Sequence, residues 1–207
     1  MSPRRVDPVL TARRREELIK AGYAEILEKG LADTTIDGVV ARAESSKGGA
    51  LHYFHTKEEL LWAVLDWLLT QLDQSLERIA NSADPPRARL VAELELLFHS
   101  TEVNRKLYRV LFDYVGVGVR SERFRKLFGD FFARCRARDA ALVEEGIRLQ
   151  QFRRVRPADA AATIRALVDG YCLQWLMSSE DSSIEELRNR CRAVLGAYLL
   201  RGPRQAE

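Results

Sequence analysis

Between Thr35 and Lys57 the chain concentrates side chains that can hold a phosphate or read a base edge. Ser45 and Ser46 bring hydroxyls, Lys47 a cation, His52 and Tyr53 polar-tipped rings, and Lys57 a second cation. Such donors meet phosphate oxygens and groove edges in protein–DNA interfaces. Among them sit Gly48 and Gly49. Each glycine costs a helix on the order of 1 kcal/mol relative to alanine. A helix built only to pack would avoid that cost, whereas a backbone that must lie against a phosphate or base gains from the missing side chain. Lys57 falls in the first turn of the next helix, where free N–H groups already favour a phosphate.

Other chemistries are poorly provided for. No Gly-x-Ser-x-Gly elbow and no catalytic spacing occurs, so no catalytic residue, no enzyme activity and no cofactor is expected. His52 and His55 lack a third ligand, so no metal is expected. Gly48-Gly49 follows no strand and is not a nucleotide loop. Cys135, Cys172 and Cys191 are odd in number and far apart, and read as buried or free thiols in a reducing compartment. The segment Met1–Leu10 has no apolar stretch of the signal-peptide kind, and no apolar run is long enough to span a bilayer. A cytoplasmic protein with no membrane partner is expected. Net charge is only +3, but Arg4, Arg5, Arg13, Arg14 and Arg15 face a single Asp7 in the first fifteen residues, a basic arm on a balanced body.

These residues must be carried by helices, because the apolar periodicity is helical from end to end and no convincing strand alternation occurs. The expectation is an all-α chain of about nine helices. The first runs from about Thr11 to Lys29, stopped by Gly30. Thr34 or Thr35 caps a short helix through Arg42, Ala43–Ser46 turns, and a second short helix runs from about Ser46 to Tyr53. Thr56 and Glu59 form a capping box that opens a long helix to about Ala80. Further helices cover about Pro85 to Ser100, Val103 to Val115 with Gly116 and Gly118 as breakers, Glu122 to Gln150, Pro157 to Met177, and Ser182, as cap, to Leu200. Two short helices joined by a tight turn make a helix-turn-helix, whose second helix enters the major groove.

The stretch from Thr35 to Leu60, ending Phe54-His-Thr-Lys57-Glu-Glu-Leu60, resembles the TetR family of bacterial regulators over about Leu18 to Leu65. The resemblance implies an N-terminal three-helix DNA-binding domain, residues 1–56 with the arm, and a C-terminal helical ligand-binding and dimerisation domain, residues 57–207. It implies DNA contacts by Thr35, Ser45, Ser46, Lys47, Gly48, Gly49, His52, Tyr53 and Lys57. The partners implied are double-stranded operator DNA, a small-molecule effector and a second copy bound through the last two helices. The sequence departs from the family pattern at Glu44, where a turn glycine is usual, at Ser45 and at Leu51. Glu44 is expected to point away from DNA or to pair with Arg42.

Behind Ile79 the aromatic residues recur at helical spacings. Any one of them is more commonly core than ligand contact, but together they suit a cavity between long helices. Phe98, Tyr108, Phe112 and Trp175 are the candidates, with Asp113 near the wall. Set inside Leu111-Phe-Asp-Tyr-Val115, Asp113 reads as buried, answered by an internal arginine or by a cationic or hydrogen-bonding ligand. Ala161, Ala162, Ala166 and Gly170 permit close helix approach, and Leu187, Cys191, Val194, Leu195 and Tyr198 stripe the last helix. The function expected is a ligand-responsive repressor that binds a palindrome as a dimer and is released by a small molecule. The alternatives are an activator of the same build, or a helical ligand-binding or scaffold protein with a vestigial helix-turn-helix.

Overall fold

A computed structural model describes residues 8–178 and 183–200. Among them, every regular element is an α-helix: α1 Pro8–Lys29, α2 Ile36–Arg42, α3 Lys47–Tyr53, α4 Lys57–Ala80, α5 Pro86–Leu97, α6 Thr101–Arg120, α7 Glu122–Arg148, α8 Pro157–Met177 and α9 Ile184–Leu199. α1 begins at Pro8 rather than near Thr11, and Arg13, Arg14 and Arg15 ride on it rather than on a free arm. Arg4 and Arg5 lie outside the described residues. α1 ends at Gly30, whose φ of +81° is open to glycine without strain.

Hydroxyl caps set the front of the molecule. Thr35, Ser46 and Thr56 each accept an N–H three residues on, at 3.0, 3.1 and 3.1 Å. The short helices α2 and α3 are marginal alone. They bury Val39, Ala50 and Phe54 against α1 and each other, while Leu51 stays partly exposed. A buried ionic knot ties α1 to α2: Glu25, 1% exposed, takes Lys29 at 2.6 Å and Arg42 at 3.1 Å, and Arg42 also reaches Glu28. Gly38 leaves the room for that carboxylate, since a Cβ there would stand 2.2 Å from Glu25 Oε1.

α4 joins the front to the rear. Its Leu60 and Val64 pack on Gly22 of α1, while Asp73, two turns further on, pairs with Arg134 and Arg138 of α7, each at 2.7 Å. α6 does not break at Gly116 and Gly118 but continues to Arg120. Gly118 is buried and used for close approach, because a Cβ would lie 3.3 Å from the Phe128 ring. Tertiary packing thus outweighs the local helix cost of the glycine. α7 turns back through Gln150, at φ +59°, to seat the Phe152 ring on Gly146. The last helix is capped by Ser183, whose hydroxyl accepts the Glu186 N–H at 3.2 Å. Ser182, the cap expected from the sequence, lies outside the described residues.

Candidate nucleic-acid interface and effector pocket

Thr35, Ser46, Lys47, Gly48 and His52 stand exposed on the front, with Ser45, Gly49, Tyr53 and Lys57 partly so. Lys47 rests on Asp37 at 2.8 Å, an exposed ion pair of little worth that phosphate can displace. The His52 and Tyr53 rings meet edge to face, 5.2 Å between centroids. Lys57 Nζ donates to the Ala32 carbonyl at 2.6 Å, so its ammonium is drawn to the loop between α1 and α2. The two glycines differ. A side chain on Gly48 would meet nothing, whereas a Cβ on Gly49 would lie 3.0 Å from Ser46 Oγ, the α3 cap. Glu44 adopts φ +48° and is exposed. Its expected pairing with Arg42 does not form, because Arg42 is taken by Glu25 and Glu28.

In the rear, a cavity of about 90 Å³ opens between α4, α5, α6, α7 and α8, several times the roughly 10–15 Å³ that one water needs. Tyr108 and Phe112, stacked at 5.9 Å, line it together with Phe128, Phe131 and Phe132. Three expectations fail. Phe98 is fully buried in the core and does not reach the cavity, and neither does Trp175, which lies buried beneath Arg105. Asp113 is exposed on the opposite side of α6, in a shallow groove with Lys57, Arg109 and Arg120, so it is neither a buried acid nor a cavity wall. The reason is register: 108, 112 and 115 face inward on α6, which turns 109, 113, 116 and 120 outward.

The acid that does line the cavity is Asp169 of α8, paired with Arg165 at 3.0 Å. Their one signal in the sequence is that they are the only charges in α8 beyond Asp159. Arg165 is 5% exposed, and behind it lie two further buried acids, Glu93 of α5 and Asp139 of α7. Burial raises both of these carboxyls, Asp139 to about 8, with Arg165 and Arg138 pulling the other way. The Tyr108 hydroxyl bonds Cys172, whose thiol burial pushes up to about 12, so Cys172 is an inert core residue near neutral pH.

The structure thus presents exposed donors on a short capped helix at the front and an aromatic cavity within long helices behind. Residues 18–64 match the family model described as bacterial regulatory proteins, tetR family, and residues 86–200 match that of the BetI-type transcriptional repressor, C-terminal. The HTH-type transcriptional regulator BetI of Stenotrophomonas maltophilia is 30% identical over 184 residues, 86% of each chain. A putative transcriptional regulator from Saccharomonospora viridis, solved in complex with choline, superposes with a TM-score of 0.83 at 19% identity over 92% of this chain and 100% of that one. A TetR transcription regulator from Haloarcula marismortui superposes at 0.81 with 26% identity and the same coverage. The chain belongs to the TetR family, with a BetI-type C-terminal region. It is a transcriptional repressor, of a family of regulators and not of enzymes. Among the described residues no helix is long and apolar enough to cross a membrane.

Proposed function

We propose that two copies of this chain grip a palindromic operator in the cytoplasm through α3, and that a small organic cation in the aromatic cavity releases them. The observation that carries the reading is the exposed front of α2 and α3, where Thr35, Ser46, Lys47, Gly48 and His52 stand together on helices held by hydroxyl caps. Ser45, Gly49, Tyr53 and Lys57 complete the face, the backbone of Gly48 making the close approach. The boundary between the DNA-binding part, residues 1–56, and the effector part, residues 57–207, falls at the Thr56 cap of α4, so α4 is the element both parts share. Dimerisation uses α8 and α9. Ala162, Ala166, Leu173 and Met177 are exposed at spacings of four, seven and four, with Gly170 between them, and Val194 adds to them from α9. Leu187, Cys191 and Leu195 of the expected stripe are spent on the chain's own core.

Effector chemistry follows from the cavity. Aromatic faces attract cations, quaternary ammonium groups among them, and Asp169 supplies a counter-charge. Choline, the ligand of the Saccharomonospora regulator, is the first compound to try. Anisotropy titration of the purified protein against palindromic duplexes from the DNA flanking its gene tests the reading, repeated with choline. Saturable, salt-sensitive binding that choline reverses is expected; binding no tighter than to random duplex sinks it. Lys47→Ala should weaken binding to every duplex and flatten the salt dependence by about one counter-ion. A changed base preference would instead make Lys47 a base reader.

A further inference from the structure

The aromatic cavity already contains a cation. Arg165 holds Asp169 at 3.0 Å, and both line the cavity, but Asp169 keeps 41% of its side chain exposed and Arg165 only 7%. The carboxylate is therefore within reach of an incoming molecule, while its partner lies behind it. Arg165 Nε makes no hydrogen bond, nor does Oδ2 of Asp139 deeper in the core. Glu93 and Asp139 interact with each other and with Arg165 and Arg138. The other charged or titratable groups facing this pair are Arg89 of α5, which is tied to Glu145 of α7, and Cys191 of α9. Glu77 of α4, which pairs with Arg138, lines the same cleft as Arg89 and Asp139. Cys135 sits beside Arg165 and Asp139. Two buried carboxyls in contact do not both ionise freely, so near neutral pH the pair keeps one proton.

We propose that Arg165 sets the charge selectivity of the effector cavity by exchanging partners: it holds Asp169 in the free protein, and a small organic cation takes Asp169 while Arg165 turns to the Glu93–Asp139 pair. This rests on the reading of the aromatic cavity as the effector site. Charge balances at each step. The ligand brings one positive charge to Asp169, Arg165 brings its own to the pair, and the pair gives its shared proton to the solvent. A neutral molecule of the same size cannot displace the guanidinium and gains only apolar contact. Cation affinity therefore rises with pH, by up to about tenfold per pH unit, and levels off above about 8, where the pair is already ionised.

Calorimetric titration with tetramethylammonium and with tert-butanol, in buffers of different ionisation heat, counts the protons released. Wild type should release about one proton per tetramethylammonium bound below pH 8 and none with tert-butanol. Arg165→Gln should bind tetramethylammonium several-fold more tightly and release none, whereas a merely structural arginine would lose affinity when removed. The Glu93→Gln, Asp139→Asn double variant should bind the cation more weakly and without pH dependence. A ligand-free arm stands beside these. The raised carboxyls make stability fall as pH rises through about 8, and Asp169→Asn, by freeing Arg165 for the pair, should move that fall in melting temperature to lower pH. Cation binding without proton release, or a folded Arg165→Gln with reduced affinity, overturns the exchange and leaves the cavity assignment standing. If Arg165→Gln does not fold, an unmoved profile in Asp169→Asn overturns it. Absence of any tetramethylammonium binding to wild type overturns both.

Discussion

Thr35, Ser46, Lys47 and His52 came out exposed because each sits on a cap or the free side of a short helix, where sequence spacing and exposure coincide. Asp113 is exposed although apolar residues flank it, because α6 packs on two sides, with Tyr108 and Phe112 at the cavity and Val110 and Tyr114 buried elsewhere, and Asp113 falls on neither, so apolar neighbours do not imply burial. Glu44 was visible as a departure from the family's turn glycine, but its consequence is conformational. At φ +48° a residue with a Cβ is strained by about 1 kcal/mol or more. Glu44→Gly should therefore stabilise the protein by about 1 kcal/mol, raising the melting temperature by about 2–4 °C. It also removes a carboxylate beside the DNA face, so operator affinity should rise at low salt. A thermal melt that falls would mean the Glu44 side chain makes a contact worth more than the strain.

Helix existence and order were set by caps and periodicity, and every expected element is present. The boundaries that moved did so for tertiary reasons. α6 runs through Gly116 and Gly118 because Phe128 packs against the bare backbone at Gly118, a contact between residues ten apart that no local propensity contains. The turn after α7 is the same kind of case. Gly146 was unremarked in the sequence, yet a Cβ there would stand 2.1 Å from the Phe152 ring, which is fully buried. Arg153 N–H then reaches the Leu199 carbonyl at 2.8 Å, which fastens this turn to the end of α9. Gly146→Ala should thus expel or tilt Phe152 and cost about 1–3 kcal/mol, although alanine is the better helix former. Denaturant unfolding measures it. A neutral or stabilising result would show that the ring shifts freely and that the turn does not hold α9.

At the scale of the whole molecule, two arrangements decide whether front and rear act together. One is the pairing of copies, which sets the distance between reading heads. Leu173→Glu places a charge in the exposed stripe of α8 and should yield a helical monomer by sedimentation that binds operator weakly; a dimer of unchanged affinity would put the interface elsewhere. The other is the link from the cavity to α4. Leu111, Phe112 and Val115 of α6 line the cavity, and Tyr114 beside them turns the other way, fully buried, to donate its hydroxyl to the Leu61 carbonyl of α4 at 2.8 Å. Arg123 of α7 lies over the Trp62 ring at 4.8 Å on the same turn. Leu61 is one turn from Lys57, so a shift of α6 around an effector is carried to the end of α4 that abuts the DNA face. Removing the hydroxyl takes away a net of about 0.5–1.5 kcal/mol, a sizeable share of a coupling free energy that is commonly about 1–3 kcal/mol. Tyr114→Phe should keep the ring stacked on Phe124. It should leave choline affinity without DNA, and DNA affinity without choline, within a few-fold of wild type. The loss of DNA affinity at saturating choline should shrink several-fold, and reciprocally so should the loss of choline affinity on operator. Equal coupling in the variant would show that α6 reaches the DNA face by another route. A change in either single affinity with coupling intact would make Tyr114 a packing residue only.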